Sequence, residues 1–290
     1  MATRLSISKA DIIKAIEASA APVFRQKDLS ALLQENRAFW RLAQSTTLPK
    51  FIEFLLASTK FRRVHLALPH RPETLFAWGD VSPHVIAAAA KPNAYICHFS
   101  AMRMHELTDQ VPETIYANHE QRPLPHPAGE LTQRAIDAAF RGKQRMTKNI
   151  AAMGDYRLCL INGKHTGQLG VVSMKDDAGV EFRVTGLERT LIDITVRPYY
   201  AGGVGEVLEA FRRAASRVSI NKLSAMLKQM DFVYPYEQSI GFYLQRSGVY
   251  EPSRLEMFRK RKFTHDFYLT YAMKEKEYSP EWRLFFPAGL

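Results

Sequence analysis

Three groups of side chains in this sequence have types and spacings that could do chemistry. The first is basic and polar: Thr46, Thr47 and Lys50 open one helical stretch, Arg62 and Arg63 open an extended run, and Arg37, Arg41 and Gln44 lie just upstream. Guanidinium, ammonium and amide groups clustered this way bond phosphate oxygens and base edges, so this group suits a polyanion. The second group is His98, His105 and His119. Their spacings are not those of metal ligands and no carboxylate pattern joins them, so they read as satisfied polar positions. The third is the Gly202-Gly203-Val204-Gly205 run, whose amides could hold a phosphate at a helix start. It lacks the GxxxxGK[ST] spacing, and a tight turn explains it better. Glu188 and Asp193 lie five apart, about 140° round a helix axis, and do not converge. Arg189 and Asp193, at i and i+4, can pair. There is no GxSxG and no Cys–His signature. The expectation is a protein that is not an enzyme, with no cofactor and no metal.

The elements that position the basic group run from Pro22 to Pro69. Arg25, Gln26, Lys27 and Asp28 open a helix whose apolar face is Leu29, Leu32 and Leu33. A later helix starts at Thr46 or Thr47, with Pro49 in its first turn, where a missing N–H costs nothing. Its stripe is Leu48, Ile52 and Leu55, flanked by Phe51 and Leu56, with Lys50 and Glu53 opposite. Val64, Leu66 and Leu68 then alternate at period two, as a half-buried strand does. Helix, turn, helix and β-wing in this order predict a winged helix-turn-helix that sets a helix N-terminus in the major groove and a basic wing on phosphate. The alternative is a small α+β subdomain with no nucleic-acid role. Between the two helices, NRAFWRLAQS is helical or irregular, with Phe39, Trp40 and Leu42 packing inward in either case. Before them, Ser8 and Asp11 resemble a capping box for a first helix that buries Ile12, Ile13 and Ile16.

At 290 residues the chain has room for two domains. Its net charge of +11 favours an anionic partner. Residues 1–82 hold twelve Lys/Arg against seven Asp/Glu, or +5, nearly half the charge in under a third of the chain. No apolar run approaches the roughly 20 residues a membrane span needs. MATRLSISKAD has no apolar core and is not expected to be a secretory signal. Cys97 and Cys159 are isolated, which fits a reducing cytoplasm better than a disulfide framework.

A boundary is placed near Gly79–Ser82. Beyond it, Ser82-Pro83 starts a helix to about Ala90, Ala94–Cys97 forms a short strand, Ser100 caps a helix to Leu107, and Glu113–Asn118 is a strand. QRPLPHPAGE reads as a surface crossing. Leu131, Ala135, Ile136 and Phe140 mark an amphipathic helix ending among Arg141, Lys143, Arg145 and Lys148, cations that suit a helix C-terminus. Strands at Arg157–Ile161, Gly170–Met174 and Glu181–Val184 are separated by the hairpin-type turns Asn162-Gly163 and Asp176–Gly179. Thr185 and Glu188 form a capping box before a helix with Leu187, Leu191 and Ile194, stopped at Arg197-Pro198. Three helices follow, at about Val204–Ser216, Ser219–Met230 and Tyr236–Ser247, and FTHDFYLTY closes as a strand after the RKRK at Arg259–Lys262.

Three features together resemble the AbiEi-type antitoxins, the regulator half of type IV (AbiE) abortive-infection toxin–antitoxin systems. They are the N-terminal helix-turn-helix pattern, the motif HFSAMRMHELTDQVPETIYA (98–117), and VTGLERTLIDITVRP (184–198) with YYAGG after it. The resemblance covers nearly the whole chain. It implies an α+β protein with a winged helix-turn-helix domain at 1–81 and a larger mixed α/β antitoxin domain at 82–290. The first would bind inverted repeats in duplex DNA of its own promoter and repress it. The second would counteract a nucleotidyltransferase-like toxin, without a stable complex. The implied DNA-facing set is Arg25, Gln26 and Lys27 at one helix start, Thr46, Thr47 and Lys50 at the next with Arg41 upstream, and Arg62, Arg63 and His65 on the wing. The insert-like NRAFWRLAQS departs from the pattern and leaves open which residues begin the recognition helix.

Two other readings stay open on residues alone. One is an enzyme acting on RNA or nucleotides, its site in the C-terminal domain near His98–His105 or the Gly202 turn, which predicts a pocket of converging, perturbed groups. The other is an interaction module whose basic face meets an acidic partner.

Overall fold

The computed structural model describes residues 3–125 and 129–290, so the middle of the Pro-rich segment lies outside the described residues. The first section runs α1 (Arg4–Ile7), α2 (Lys9–Glu17), β1 (Val23–Arg25), α3 (Gln26–Asn36), α4 (Leu48–Ser58), β2 (Phe61–Leu66) and β3 (Glu73–Trp78). Its strands form an antiparallel sheet in the order β1-β3-β2, with Phe24 opposite Phe76 and Arg63 opposite Phe76 on the other side. One face of this sheet carries Phe24, Phe61 and Phe76 into a core with Ile12, Leu29, Phe51 and Leu55 from the helices. Trp40 closes that core, stacked on Phe51 at 5.8 Å. Two expectations fail here. Phe39 is 72% exposed, because the chain turns at Trp40–Arg41 and buries only Trp40 and Leu42. Ser8 does not close a capping box; its hydroxyl donates to the Trp40 carbonyl at 2.8 Å, tying α2 to that turn.

The second face of the sheet is also covered. Leu66, Leu75 and Ala77 share a core with Val85 and Ile86 of α5 (Pro83–Ala89) and with Ile96 and Leu158 of the next sheet. Apolar packing is therefore continuous across the bend at 79–82. The second section continues with β4 (Tyr95–Ile96), α6 (His98–Met104), β5 (Thr114–Asn118), α7 (Gln133–Arg141), β6 (Ile150–Met153), β7 (Tyr156–Ile161), β8 (Val171–Lys175) and β9 (Glu181–Thr185). Its six strands run β6-β7-β5-β4-β9-β8, parallel at β7/β5 and β4/β9 and antiparallel elsewhere. Asp176–Gly179 does make the β8–β9 hairpin, the Asp176 carboxylate accepting from the Val180 N–H at 2.9 Å. Asn162-Gly163 does not make a hairpin, since β7 and β8 lie at different places in the sheet. Ser100 sits inside α6 rather than at its start, and accepts from the Tyr116 N–H at 2.9 Å.

The third section is helical: α8 (Leu187–Val196), a 3-10 turn at Pro198–Ala201, α9 (Val204–Ala214), α10 (Ile220–Met230), α11 (Tyr236–Arg246) and α12 (Pro252–Arg259). It ends in a small sheet, β10 (Phe267–Tyr268), β11 (Lys276–Ser279) and β12 (Leu284–Pro287), in the order β10-β12-β11. α8 is buried all round, with Leu191, Ile192 and Ile194 fully covered. The box expected at its start is absent: Gly186 is the N-cap, Thr185 bonds Thr190, and Glu188 accepts from the Ser219 N–H and pairs with Lys222 at 2.8 Å. No described helix is long and apolar enough to cross a membrane.

Candidate functional site

Two basic regions emerge, one on the first section and one in a cleft of the rest. On the first, α4 is oriented by Phe51, Ile52 and Leu55, which turns Thr47, Pro49, Lys50 and Glu53 to solvent. Thr47 is the N-cap in extended conformation, without a side-chain bond, and Thr46 is half-buried. Gln26 and Lys27 are exposed in the first turn of α3, and Arg41 is exposed with φ 50°. Arg37 is spent on its own chain, its guanidinium donating to the carbonyls of Ala43 (2.6 Å) and Thr46 (3.0 Å) and so fixing the approach to α4.

The period-two strand splits the expected wing residues. Arg63 and His65 share the face of Phe61, and the Arg63 guanidinium lies 6.0 Å over the Phe76 ring, still exposed. His65 Nδ1 is 3.4 Å from the Thr74 hydroxyl. Arg62 points the other way and donates to the Val81 carbonyl at 3.1 Å, with Asp80 at 3.4 Å. Arg25 is half-buried and donates to the Ala89 carbonyl at 2.6 Å, a cation at the C-terminus of α5 where the helix dipole favours it. Arg25 and Arg62 thus join the first section to the second, Arg25 half-buried and Arg62 still exposed. Gln26, Lys27, Arg41, Thr47, Lys50, Arg62, Arg63 and His65 are all exposed to solvent.

The second region is a cleft of ≈ 610 Å³ between the loops after β5 and β7, the C-terminal half of α8 and the chain after α10. Its wall is held by one buried network. Arg189, with a side chain 4% exposed, donates from Nε to Asp193 at 2.8 Å, from Nη1 to Thr166 at 3.0 Å and to the Leu169 carbonyl, and from Nη2 to the Tyr95 hydroxyl at 3.1 Å. Tyr95 also accepts from Asn118 at 2.7 Å and donates to Glu120 at 3.0 Å, which uses its hydroxyl fully. Glu120 in turn accepts from the Thr166 N–H at 2.9 Å. Burial pushes the Glu120 carboxyl up, but the bonds from Thr166, Tyr95 and Gln168 outweigh it and hold the group below the usual carboxylate range. Burial raises the Asp193 carboxyl, opposed by the guanidinium beside it. Gly163 is glycine because a Cβ would stand 2.6 Å from Asn118 Oδ1, whose acceptor bond its own N–H completes.

His98 lines the same cleft. It is 6% exposed, its backbone is left-handed (φ 48°), and its Nδ1 is buried with no partner among the described residues. Burial, with the charges of Arg197 and Arg189, pushes its pKa down to about 3, so the ring is neutral at physiological pH. A strained, unsatisfied histidine in a cleft is the kind of group that marks a working site. The other candidates disperse. His105 Nε2 bonds the Thr185 carbonyl at 2.7 Å, His119 Nδ1 the Pro92 carbonyl at 3.0 Å, and Gly202 (φ 81°) is a turn packed on Phe99 and Glu206. Sequence reasoning paired Arg189 with Asp193 but missed the cleft. The available signal was the placement of those two charges on a helix that also carries the apolar run Leu187, Leu191, Ile192 and Ile194.

Taken together, the chain is a mixed α+β protein in which a three-stranded and a six-stranded sheet share one apolar layer and helices cover the remainder. Among solved structures it shares this fold with the crystal structure of the RV2827C protein from Mycobacterium tuberculosis: TM-score 0.53, 16% identity, covering 96% of this chain and 90% of that chain. No protein-family model matches the sequence, and no curated protein does.

Proposed function

We propose that this chain is a DNA-binding autorepressor and antitoxin of the AbiEi type. Its first section acts as a winged helix-turn-helix on duplex DNA, and the remainder opposes a nucleotidyltransferase-like toxin. The observation that carries the reading is one of order and exposure. Helix, strand, helix, helix, strand, strand close on an antiparallel β1-β3-β2 sheet, and the N-terminal turn of α4 leaves Thr47 and Lys50 in solvent, as Arg63 and His65 are on β2. In a winged helix the third helix enters the major groove and the β2–β3 hairpin lies on the backbone. Lys50 and Arg63 then meet phosphate, Thr47 donates beside them, and Gln26, Lys27 and Arg41 extend the basic edge. Phe39, apolar and exposed next to Arg41, belongs to the same edge.

Binding of the upstream inverted repeat, read by gel shift across a salt series, tests this. Replacing Lys50 and Arg63 together with Ala weakens binding and lowers the log–log salt slope by about one unit per lost phosphate contact. An unchanged affinity and slope would remove the assignment.

A further inference from the structure

The geometry points to the cleft beside α8 as a binding site for a nucleoside phosphate. Four Lys/Arg line it, Arg122, Lys164, Arg189 and Arg197, against two acids, Asp193 and Asp231. Asp193 is committed to Arg189. Arg122 and Arg197 have no carboxylate partner among the described residues, and Lys164 is held by the Asp231 carbonyl and by the face of Phe232, 5.4 Å away. Cations gathered in a concave site in excess of acids create a field for a multiply charged anion, and guanidinium groups suit phosphate by their paired donors. Arg197 lines the cleft together with His98, Tyr236 and Tyr271, and its Nη1 donates to the Arg145 carbonyl at 3.3 Å.

The aromatic side of the cleft is built from rings packed on one another. Phe140, 3% exposed, stacks on Tyr271 at 4.3 Å between ring centroids and meets Tyr234 edge-on at 5.3 Å. Both tyrosines line the cleft. Inorganic phosphate alone would leave them uncovered, whereas a planar base would stack there with its phosphates on Arg197 and Arg122. The volume of ≈ 610 Å³ lies in the range of small-molecule sites and exceeds what one phosphate fills. His98, whose buried Nδ1 has no partner among the described residues, also lines the cleft. This site shares no residue with the exposed DNA-facing set, so it stands or falls apart from the repressor reading.

Calorimetric titration of the full chain with ATP, GTP and AMP, and with adenosine and inorganic phosphate as fragments, tests the proposal. A nucleotide binds saturably, and adenosine and phosphate each bind at least about tenfold more weakly. Arg197→Met and Arg122→Ala each lose about ten- to a hundredfold in affinity, the expectation for a charge-assisted bond. Arg122 is exposed, so its replacement decides the matter even if the Arg197 variant folds poorly. Lys50→Ala with Arg63→Ala leaves nucleotide binding unchanged, and Arg122→Ala leaves the DNA gel shift unchanged. The proposal is overturned by no saturable binding of any nucleotide, by full affinity in Arg122→Ala, or by loss of nucleotide binding in the Lys50/Arg63 variant.

Discussion

The two basic regions contain the same residue types, but only the cleft takes one of its cations out of water. On the first section Lys27, Arg41, Lys50 and Arg63 stand in water, held in place by the elements beneath them. In the cleft Arg189 is removed from water and bonded to Asp193, Thr166, Leu169 and Tyr95. An exposed cation contributes little to folding and is screened by salt, so it is free to serve a partner. A buried one cannot be removed, or lose its counter-charge, without cost to the fold. Charge on this molecule is thus divided between a surface that folding does not need and a network that folding does.

The largest test of that division is Asp193→Ala. It leaves the Arg189 guanidinium buried without its carboxylate, which costs about 3–5 kcal/mol. Lys50→Ala should stay within about 0.5 kcal/mol, as exposed substitutions do. Urea unfolding of the two variants beside the parent measures both. If they shift the midpoint equally, the contrast between the regions is broken.

Acid provides the next test. The His98 pKa is pushed from 6.5 down to about 3 by burial first and then by Arg197 and Arg189. The folded state therefore holds fewer protons than the unfolded chain between those values. Stability from this group is complete above pH 6.5 and is lost as pH falls, by roughly 2–3 kcal/mol at pH 4.5. His84 and His105 are lowered too, chiefly by burial, and act in the same direction. Glu120 and Glu188, held below the ordinary carboxylate range, lose their contribution only at lower pH. Asp193, raised by burial, acts in the opposite direction, so the histidine contribution between pH 6.5 and about 4.5 is read from the difference between the parent and a His98 variant. His98→Asn, a residue that tolerates a left-handed backbone, should flatten the melting-temperature profile there. A variant profile that parallels the parent's across that window would refute the buried neutral ring.

The sequence carried the helices well and the tertiary contacts poorly. α3, α4, α7 and α9 to α11 announce themselves by apolar stripes at helical spacing, and Ser82 and Ser219 by their caps. Capping motifs misled where a side chain found a distant partner: Ser8 with Trp40, Glu188 with Ser219 and Lys222. Short strands such as β1, β6 and β12 exist because neighbours in space pair with them, and three or four residues hold no period to read. Asn162-Gly163 has hairpin composition, but its glycine answers the close approach of Asn118, forty-five residues away along the chain. The open side of the basic residues on α3, α4 and β2 was legible, since apolar residues on one face of a helix or strand leave the others outside. That Arg25 and Arg62 are engaged by Ala89 and Val81 was not, because both acceptors are backbone carbonyls without a sequence signature.

The finest test separates two adjacent residues. Arg62 and Arg63 are one pleat apart on β2, so they face opposite sides of the sheet. Arg62 is turned toward Val81 and Asp80 with the second section behind it, and Arg63 lies over Phe76 on the helix side. If α4 and this face of β2 together meet DNA, Arg63→Ala removes about one unit of salt slope and Arg62→Ala removes none. Arg62→Ala should instead lower stability slightly, by about 0.5–1.5 kcal/mol for a partly exposed bond to a carbonyl. Gel shifts at four salt concentrations with each single variant resolve a difference of one unit. A slope for Arg63→Ala unchanged from the parent would mean that the helix side of β2 does not touch the phosphate backbone, and would move the contact to α3 and the Phe39–Arg41 turn.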